Sequence, residues 1–216
     1  MPDLGRQAAE FADIIQDLLN GTVCNGITFH AAVIDPKRML VGHGLTKTNL
    51  VTKPFRLRVG QGRPHGWIDV SYRLGLDDEG QYLTVLSSFV GIYADEEPDS
   101  ILCHFDYERN KQHGYPEAHL QVEGDCKGLT AWRLTDGSSR ELHDLHFPVG
   151  GRRYRPALED IIEFLIAERL VTPRPEWLRV LNDSREAFRK QQLRAAIRRD
   201  IGTARQAVRD FDKKQG

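Results

Sequence analysis

Apolar and polar side chains alternate strictly in two stretches of the chain between residues 101 and 123. Successive side chains of a β-strand point to opposite faces of the sheet, so this pattern predicts a β-hairpin with one apolar and one polar face. The apolar row contains Cys103, Phe105, Tyr107, Ala118, Leu120 and Val122. The polar row contains His104, Asp106, His119 and Gln121.

Pairing the two apolar rows determines the register of this hairpin. It places Asp106 opposite His119 and His104 opposite Gln121, because facing residues of paired strands share one face. We therefore predict that two imidazoles, a carboxylate and an amide meet on one face of a sheet whose other face is core.

Other segments carry equally regular patterns. The predicted elements are a helix over 3–19 capped by Asp3, weak strands over 27–34 and 55–59, strands over 67–74 and 82–93, an uncertain strand over 131–134, and a helix over 156–169. These elements predict an α+β fold with an antiparallel meander sheet of about five strands. We expect the 156–169 helix across one face of the sheet and the N-terminal helix beside it.

The segment Thr172-Pro173-Arg174-Pro175 is the best candidate for a boundary between domains. We predict a core domain over 1–171, a linker over 172–175 and a basic helical tail over 176–216. The tail carries eleven Lys and Arg against six Asp and Glu, whereas the rest of the chain is acidic. One long helix with a drifting apolar stripe and two helices bent near the middle fit the tail equally well.

Composition narrows the classes of protein to which this chain can belong. Its 216 residues are 40% hydrophobic and 28% charged, which is typical of a globular protein. The apolar runs are too short to span a bilayer, and the first residues lack the pattern of a signal peptide. Three cysteines at no metal-finger spacing indicate reduced thiols. We therefore predict a cytoplasmic location and no membrane partner.

The polar row of the hairpin contains the candidate catalytic residues His104, Asp106 and His119. Imidazoles and a carboxylate can perform acid–base chemistry in which the carboxylate orients an imidazole, and they are also ligands for divalent metals. The alternative is that they are ordinary polar side chains on a solvent-facing sheet. Because no HExxH or paired CxxC motif specifies a ligand set, we assign no metal ligands and leave the cofactor unknown.

A second candidate site follows Gly150-Gly151, where Arg152, Arg153 and Arg155 precede the predicted helix. Backbone donors and the dipole at a helix N-terminus favour anions, so these arginines are candidate phosphate-binding residues. The segment lacks the GK[ST] ending of a P-loop. The alternative is a tight turn whose arginines pair with the acidic part of the chain.

The order of these motifs resembles that of the TumE-like toxins of bacterial toxin–antitoxin pairs, over residues 55–169. The matching segments are His104-Phe105-Asp106-Tyr107, Pro116-Glu117-Ala118-His119 and the helix that opens at Pro156. The resemblance implies antiparallel strands followed by a helix, a cognate antitoxin as partner, and functional positions at Asp106 and His119.

Two classes of function are compatible with these observations. The first is a cytoplasmic toxin-like or defence-associated effector that acts on RNA or a nucleotide through the hairpin and the arginines. The alternative is a non-catalytic interaction protein. In that case the apolar stripe from Ile197 to Phe211 binds a protein or a second copy of the chain, or the basic residues bind nucleic acid.

Overall fold

The computed structural model describes residues 3–59, 66–112, 114, 116–124, 141–150 and 156–215. The helices are α1 (Leu4–Thr22), α2 (Leu158–Ala167), α3 (Trp177–Arg199) and α4 (Ile201–Gln215). The strands are β1 (Phe29–Asp35), β2 (Arg38–His43), β3 (Phe55–Arg56), β4 (Trp67–Leu76), β5 (Leu83–Tyr93), β6 (Ile101–Glu108), β7 (Ala118–Val122) and β8 (Phe147–Pro148). Short 3-10 helices cover Pro98–Ser100 and Leu142–Asp144. The predicted strand over 131–134 lies outside the described residues.

All of the described strands belong to one antiparallel sheet. Its order is β1-β2-β4-β5-β6-β7-β8, and β3 pairs with β4 outside this path. The predicted α+β class with an antiparallel meander is confirmed. The sheet has eight strands rather than about five, because the weak signal over 27–34 belongs to a hairpin of β1 with β2 and because β8 adds a further edge.

Helix α1 packs on the apolar face of the sheet, against β1, β2, β4 and β5. The ring of Phe11 meets the ring of Tyr72 edge-on at 5.0 Å, and Asp3 caps the helix by accepting a hydrogen bond from Arg6 N. We expected the 156–169 helix to lie across the sheet. Among the described helices, α1 makes this extended contact instead. It continues past the predicted stop to Thr22, and the Asn20 side chain bonds the backbone of Ile27 beyond its end.

The sequence predicts an apolar stripe of five residues on helix α2. Four of them are buried, namely Leu158, Ile161, Ile162 and Leu165, and the fifth, Ile166, is half-buried. The chain after α2 is attached to the core. Thr172 N donates to Arg58 O at 2.8 Å, and Arg174 N donates to Thr22 O at 2.8 Å. The Pro-rich segment predicted to be a linker is therefore hydrogen-bonded to the core up to residue 174.

The chain forms two compact units, Met1–Trp177 and Leu178–Gly216. Of the two alternatives for the tail, the pair of helices is the one observed. The break falls at Asp200, whose side chain accepts a hydrogen bond from Thr203 N and so caps α4. No helix in the described ranges is long and apolar enough to cross a membrane.

One buried carboxylate interrupts the apolar packing of the sheet, that of Asp69 on β4. Thr52 Oγ1 donates to Asp69 Oδ2 at 2.8 Å. Burial raises the pKa of Asp69 above its ordinary value of 3.8, and the hydrogen bonds from Thr52 and Val70 offset part of that rise. The folded state therefore favours the protonated form of Asp69 more than the unfolded chain does.

We predict that the Asp69→Asn variant gains stability relative to the parent as pH rises. A group whose pKa is raised by folding stabilises the protein below its unfolded pKa and loses that contribution as pH rises through the folded pKa. Asparagine does not titrate, so the unfolding free energy of the variant minus that of the parent should increase between about pH 4 and about pH 7. Urea denaturation at both pH values measures this difference.

Asp35→Asn is a control of opposite sign for the Asp69 experiment. Hydrogen bonds from Lys37 N and the Arg38 side chain lower the pKa of the half-buried Asp35, so its carboxylate stabilises the fold above the unfolded pKa. The Asp35 variant should lose stability relative to the parent as pH rises from about 2 to about 4, the range below the unfolded pKa in which this group titrates. Shifts of the same sign for both variants would contradict the assignment of Asp69 as a buried acid.

We predict that Ile162→Ala or Leu165→Ala destabilises the protein by about 2–5 kcal/mol, the usual cost of truncating a buried aliphatic side chain. Both side chains are fully buried. Phe164→Ala on the same helix is the matched control, since Phe164 is exposed and its truncation should stay within about 0.5 kcal/mol of the parent. Denaturant unfolding of the three variants measures the difference, and equal losses would contradict the burial.

Candidate functional site

The polar row of the β6–β7 hairpin has the register that the sequence predicts. Asp106 lies opposite His119, and His104 lies opposite Gln121. On the other face of the same hairpin, Tyr107 is buried opposite the buried Ala118. The prediction that the polar groups share one sheet face is confirmed.

The carboxylate of Asp106 stands between the two imidazoles. Its Oδ2 atom is 3.8 Å from His104 Nε2 and 3.8 Å from His119 Nε2. These separations are too long for hydrogen bonds but short enough for strong electrostatic interaction. The side chain of His119 is almost completely buried, whereas Asp106 is about one-third exposed, so solvent reaches the site beside the carboxylate.

A backbone carbonyl determines which ring nitrogen of His119 carries the proton. Its Nδ1 atom lies 3.1 Å from the carbonyl oxygen of Pro116, which can only accept, so Nδ1 carries a proton. In the neutral ring Nε2 then holds a lone pair, and this atom faces Asp106. Burial lowers the pKa of His119, against the opposing influence of Pro116 and Asp106, and this favours the neutral ring.

His104 has the complementary role. Its Nε2 atom lies 2.8 Å from Gln121 Oε1. The amide of Gln121 is oriented because its Nε2 donates to the carbonyl oxygen of His143 at 2.8 Å. The oxygen of the amide must therefore face His104, and His104 Nε2 is a donor. The site thus holds one imidazole that presents a proton and another that presents a lone pair.

His146 is a third imidazole at this site, and we did not place it from the sequence. Its ring centroid lies 4.8 Å from that of His119, and its Nδ1 donates to Asp144 O at 3.1 Å. Strand β8 brings it there, since Pro148 pairs with His119. A strand of two residues has no detectable alternation, so only the bare presence of histidines at 143 and 146 could have suggested their involvement.

Aromatic rings border the site on the side of β5. Phe89 lies opposite Asp106, and its ring centroid is 5.4 Å from that of His104. Gly91, opposite His104, allows this arrangement, because a Cβ atom there would lie 2.8 Å from Phe89 Cε1 and 2.7 Å from Tyr93 Cε2. The missing side chain at Gly91 therefore permits an aromatic wall beside His104.

The candidate phosphate-binding residues Arg152, Arg153 and Arg155 lie outside the described residues. Their role remains a prediction. The chain is described again from Pro156, and α2 begins two residues later.

Chemically, the described site combines a proton acceptor, a proton donor and a carboxylate within a few ångströms. One ligand-type atom from each of His104, Asp106 and His119 lies within 4.8 Å of the others. This arrangement is suited to general acid–base chemistry and has the donor set of a divalent metal site.

Comparison with known proteins identifies no relative of this chain. No family model, curated protein or solved structure matches this chain. The resemblance to TumE-like toxins therefore rests on the motifs alone and remains a prediction.

Proposed function

We propose that this chain is a cytoplasmic toxin-like or defence-associated effector that cleaves RNA by general acid–base catalysis. The observation that carries the proposal is that His104 presents an N–H and His119 a lone pair on either side of Asp106. A proton donor and a proton acceptor held close together are what general acid–base catalysis requires.

In the proposed reaction, His119 is the general base. Its Nε2 atom is buried in the structure, so a local movement must admit the ribose before the lone pair can act. The lone pair then takes the proton of the 2′-hydroxyl, and the 2′-oxygen forms a bond to the adjacent phosphorus. His104, as an imidazolium, gives its Nε2 proton to the 5′-oxygen while the bond from phosphorus to that oxygen breaks. The products are a 2′,3′-cyclic phosphate and a 5′-hydroxyl, and the carboxylate of Asp106 stabilises the imidazolium of either histidine.

Two further features support RNA as the substrate. The arginines predicted to bind phosphate, Arg152 and its neighbours, follow β8 in the chain, and Pro148 of β8 pairs with His119. The resemblance to toxins of toxin–antitoxin pairs also favours a nucleic-acid target and a cognate antitoxin as partner.

We predict that Asp106→Asn lowers RNA cleavage by about 10²–10⁴-fold, the usual contribution of acid–base groups, and leaves the fold intact. The amide keeps the shape of the side chain but removes the charge beside both imidazoles. Asp78→Asn, at an exposed turn, is the matched control. Cleavage of labelled RNA, with a test of the product ends for cyclic phosphate, measures the effect.

Growth of cells that produce each variant provides the second measurement. The parent and Asp78→Asn are expected to inhibit growth, and Asp106→Asn is expected not to. An Asp106→Asn variant as toxic and as active on RNA as the parent would contradict the catalytic proposal.

A second candidate function rests on the second unit. Large apolar side chains remain exposed on both helices of this unit. They are Ile197 on α3, and Ile201, Val208 and Phe211 along one face of α4. Exposed stripes of this kind mark helices that bind an apolar partner surface. We propose self-association of the chain or binding of a partner protein as the alternative function.

If this alternative holds, Ile201→Ser combined with Val208→Ser disrupts self-association or partner binding. Arg198→Glu combined with Arg199→Glu, on the same pair of helices, is the matched control and should leave it unchanged. Size-exclusion chromatography of parent and variants measures the effect. The opposite outcome has two parts: the Ile201→Ser, Val208→Ser variant elutes with the parent, and the charge-reversal variant loses salt-dependent RNA binding. That outcome would identify nucleic acid as the ligand of this unit instead.

A further inference from the structure

We infer that His104, Asp106 and His119 bind one divalent transition metal ion of the zinc class. The inference uses the residues of the proposed catalytic site but does not require that RNA be the substrate. It rests on the placement of three ligand atoms, one from each side chain, within 4.8 Å of one another.

The separations suit an ion at the centre of the cluster. Metal–ligand distances of about 2.0–2.2 Å place neighbouring ligand atoms roughly 3.0–3.4 Å apart in tetrahedral or octahedral sites. Both imidazole Nε2 atoms are 3.8 Å from the same carboxylate oxygen, Asp106 Oδ2. The separations within the set, which reach up to 4.8 Å, must shorten to this range. Rotation of the partly exposed side chains of His104 and Asp106 on a fixed hairpin provides the movement.

His119 already has the support typical of a metal ligand. Histidines that bind metal through one ring nitrogen usually donate the other N–H to a carbonyl or carboxylate, which orients the ring and increases its basicity. His119 donates from Nδ1 to Pro116 O and directs Nε2 toward Asp106. It can therefore ligate an ion without a change of tautomer.

The donor set determines which ions fit. Two imidazoles and one carboxylate suit zinc and its first-row neighbours, whereas magnesium and calcium prefer sites composed of oxygen ligands. Three protein ligands also leave coordination positions for solvent, as in metal sites that perform chemistry.

His104 cannot bind a metal ion through Nε2 and keep its hydrogen bond to Gln121 at the same time. Its Nε2 atom donates to Gln121 Oε1, so this atom must lose its proton and turn from Gln121 before it can ligate an ion. A bound ion also occupies the lone pair of His119. Zinc is therefore expected to inhibit RNA cleavage by the acid–base route.

The test is titration of the full-length chain with Co²⁺, followed by displacement with Zn²⁺. The expected result is a visible cobalt spectrum that saturates at one ion per chain and is lost on addition of Zn²⁺, while Mg²⁺ has no effect. Asp106→Asn and His104→Gln should each weaken binding by at least about 10-fold, since even supporting residues of metal sites contribute about 10–100-fold. Both side chains are partly exposed, which favours retention of the fold, and circular dichroism checks it.

His143→Gln is the matched control. The His143 ring lies 3.5–3.7 Å from carboxylate oxygens of Glu123, Glu141 and Asp144, so it forms a second group of metal-ligand types next to the site. The inference predicts unchanged Co²⁺ binding in this variant. Absence of binding to the parent chain, or binding that His143→Gln removes and Asp106→Asn retains, would overturn it.

The binding measurement separates this inference from the proposed function. Binding of Co²⁺ by a chain that cleaves no RNA would support the metal site and contradict the proposed reaction. Cleavage of RNA by a chain that binds no Co²⁺ or Zn²⁺ would overturn the metal site alone. RNA cleavage that is unaffected when Zn²⁺ saturates the site would contradict the shared use of His119.

Discussion

The alternation of side chains in the β6–β7 hairpin is the constraint on which the candidate site depends. Asp106 Oδ2 stands 3.8 Å from each imidazole nitrogen, which is beyond hydrogen-bond distance, so no hydrogen bond from Asp106 fixes the positions of His104 and His119. Burial of Tyr107 and Ala118 on the opposite face selects the register. A slip of one residue would turn that pair to the face that now holds His119 and move the polar groups to the other face.

The same constraint explains why much of this region is predictable from sequence. Where one face of a strand is buried and the other is polar, period two is visible in the residues themselves. This holds for β4 as well as for the hairpin, and the predicted range 67–74 agrees with Trp67–Leu76. The burial of β5 does not alternate, and its predicted range 82–93, which agrees with Leu83–Tyr93, depends instead on the turn before it. The positions of the candidate site residues follow from the same pattern.

The pattern fails where both faces of a strand are covered. Met39, Leu40 and Val41 of β2 are consecutive buried residues, because Leu40 joins a cluster with Ala32 and Leu45 on the face opposite its neighbours. No alternation remains, and the sequence therefore contains no clear signal for β2. His146 was missed for a related reason, since the pairing of β8 with β7 depends on tertiary structure rather than on local periodicity.

The hydrogen bond from His119 to the carbonyl of Pro116 has a consequence for how this protein can change. The acceptor belongs to the main chain, so no substitution of the Pro116 side chain deletes it directly. The tautomer of His119 is instead set by the local main-chain path from Pro116 into β7. Insertions or deletions between Pro116 and His119 are therefore a more direct route to altered chemistry than point substitutions there. A lineage could diversify this site through the spacing of its residues while their identities stayed constant.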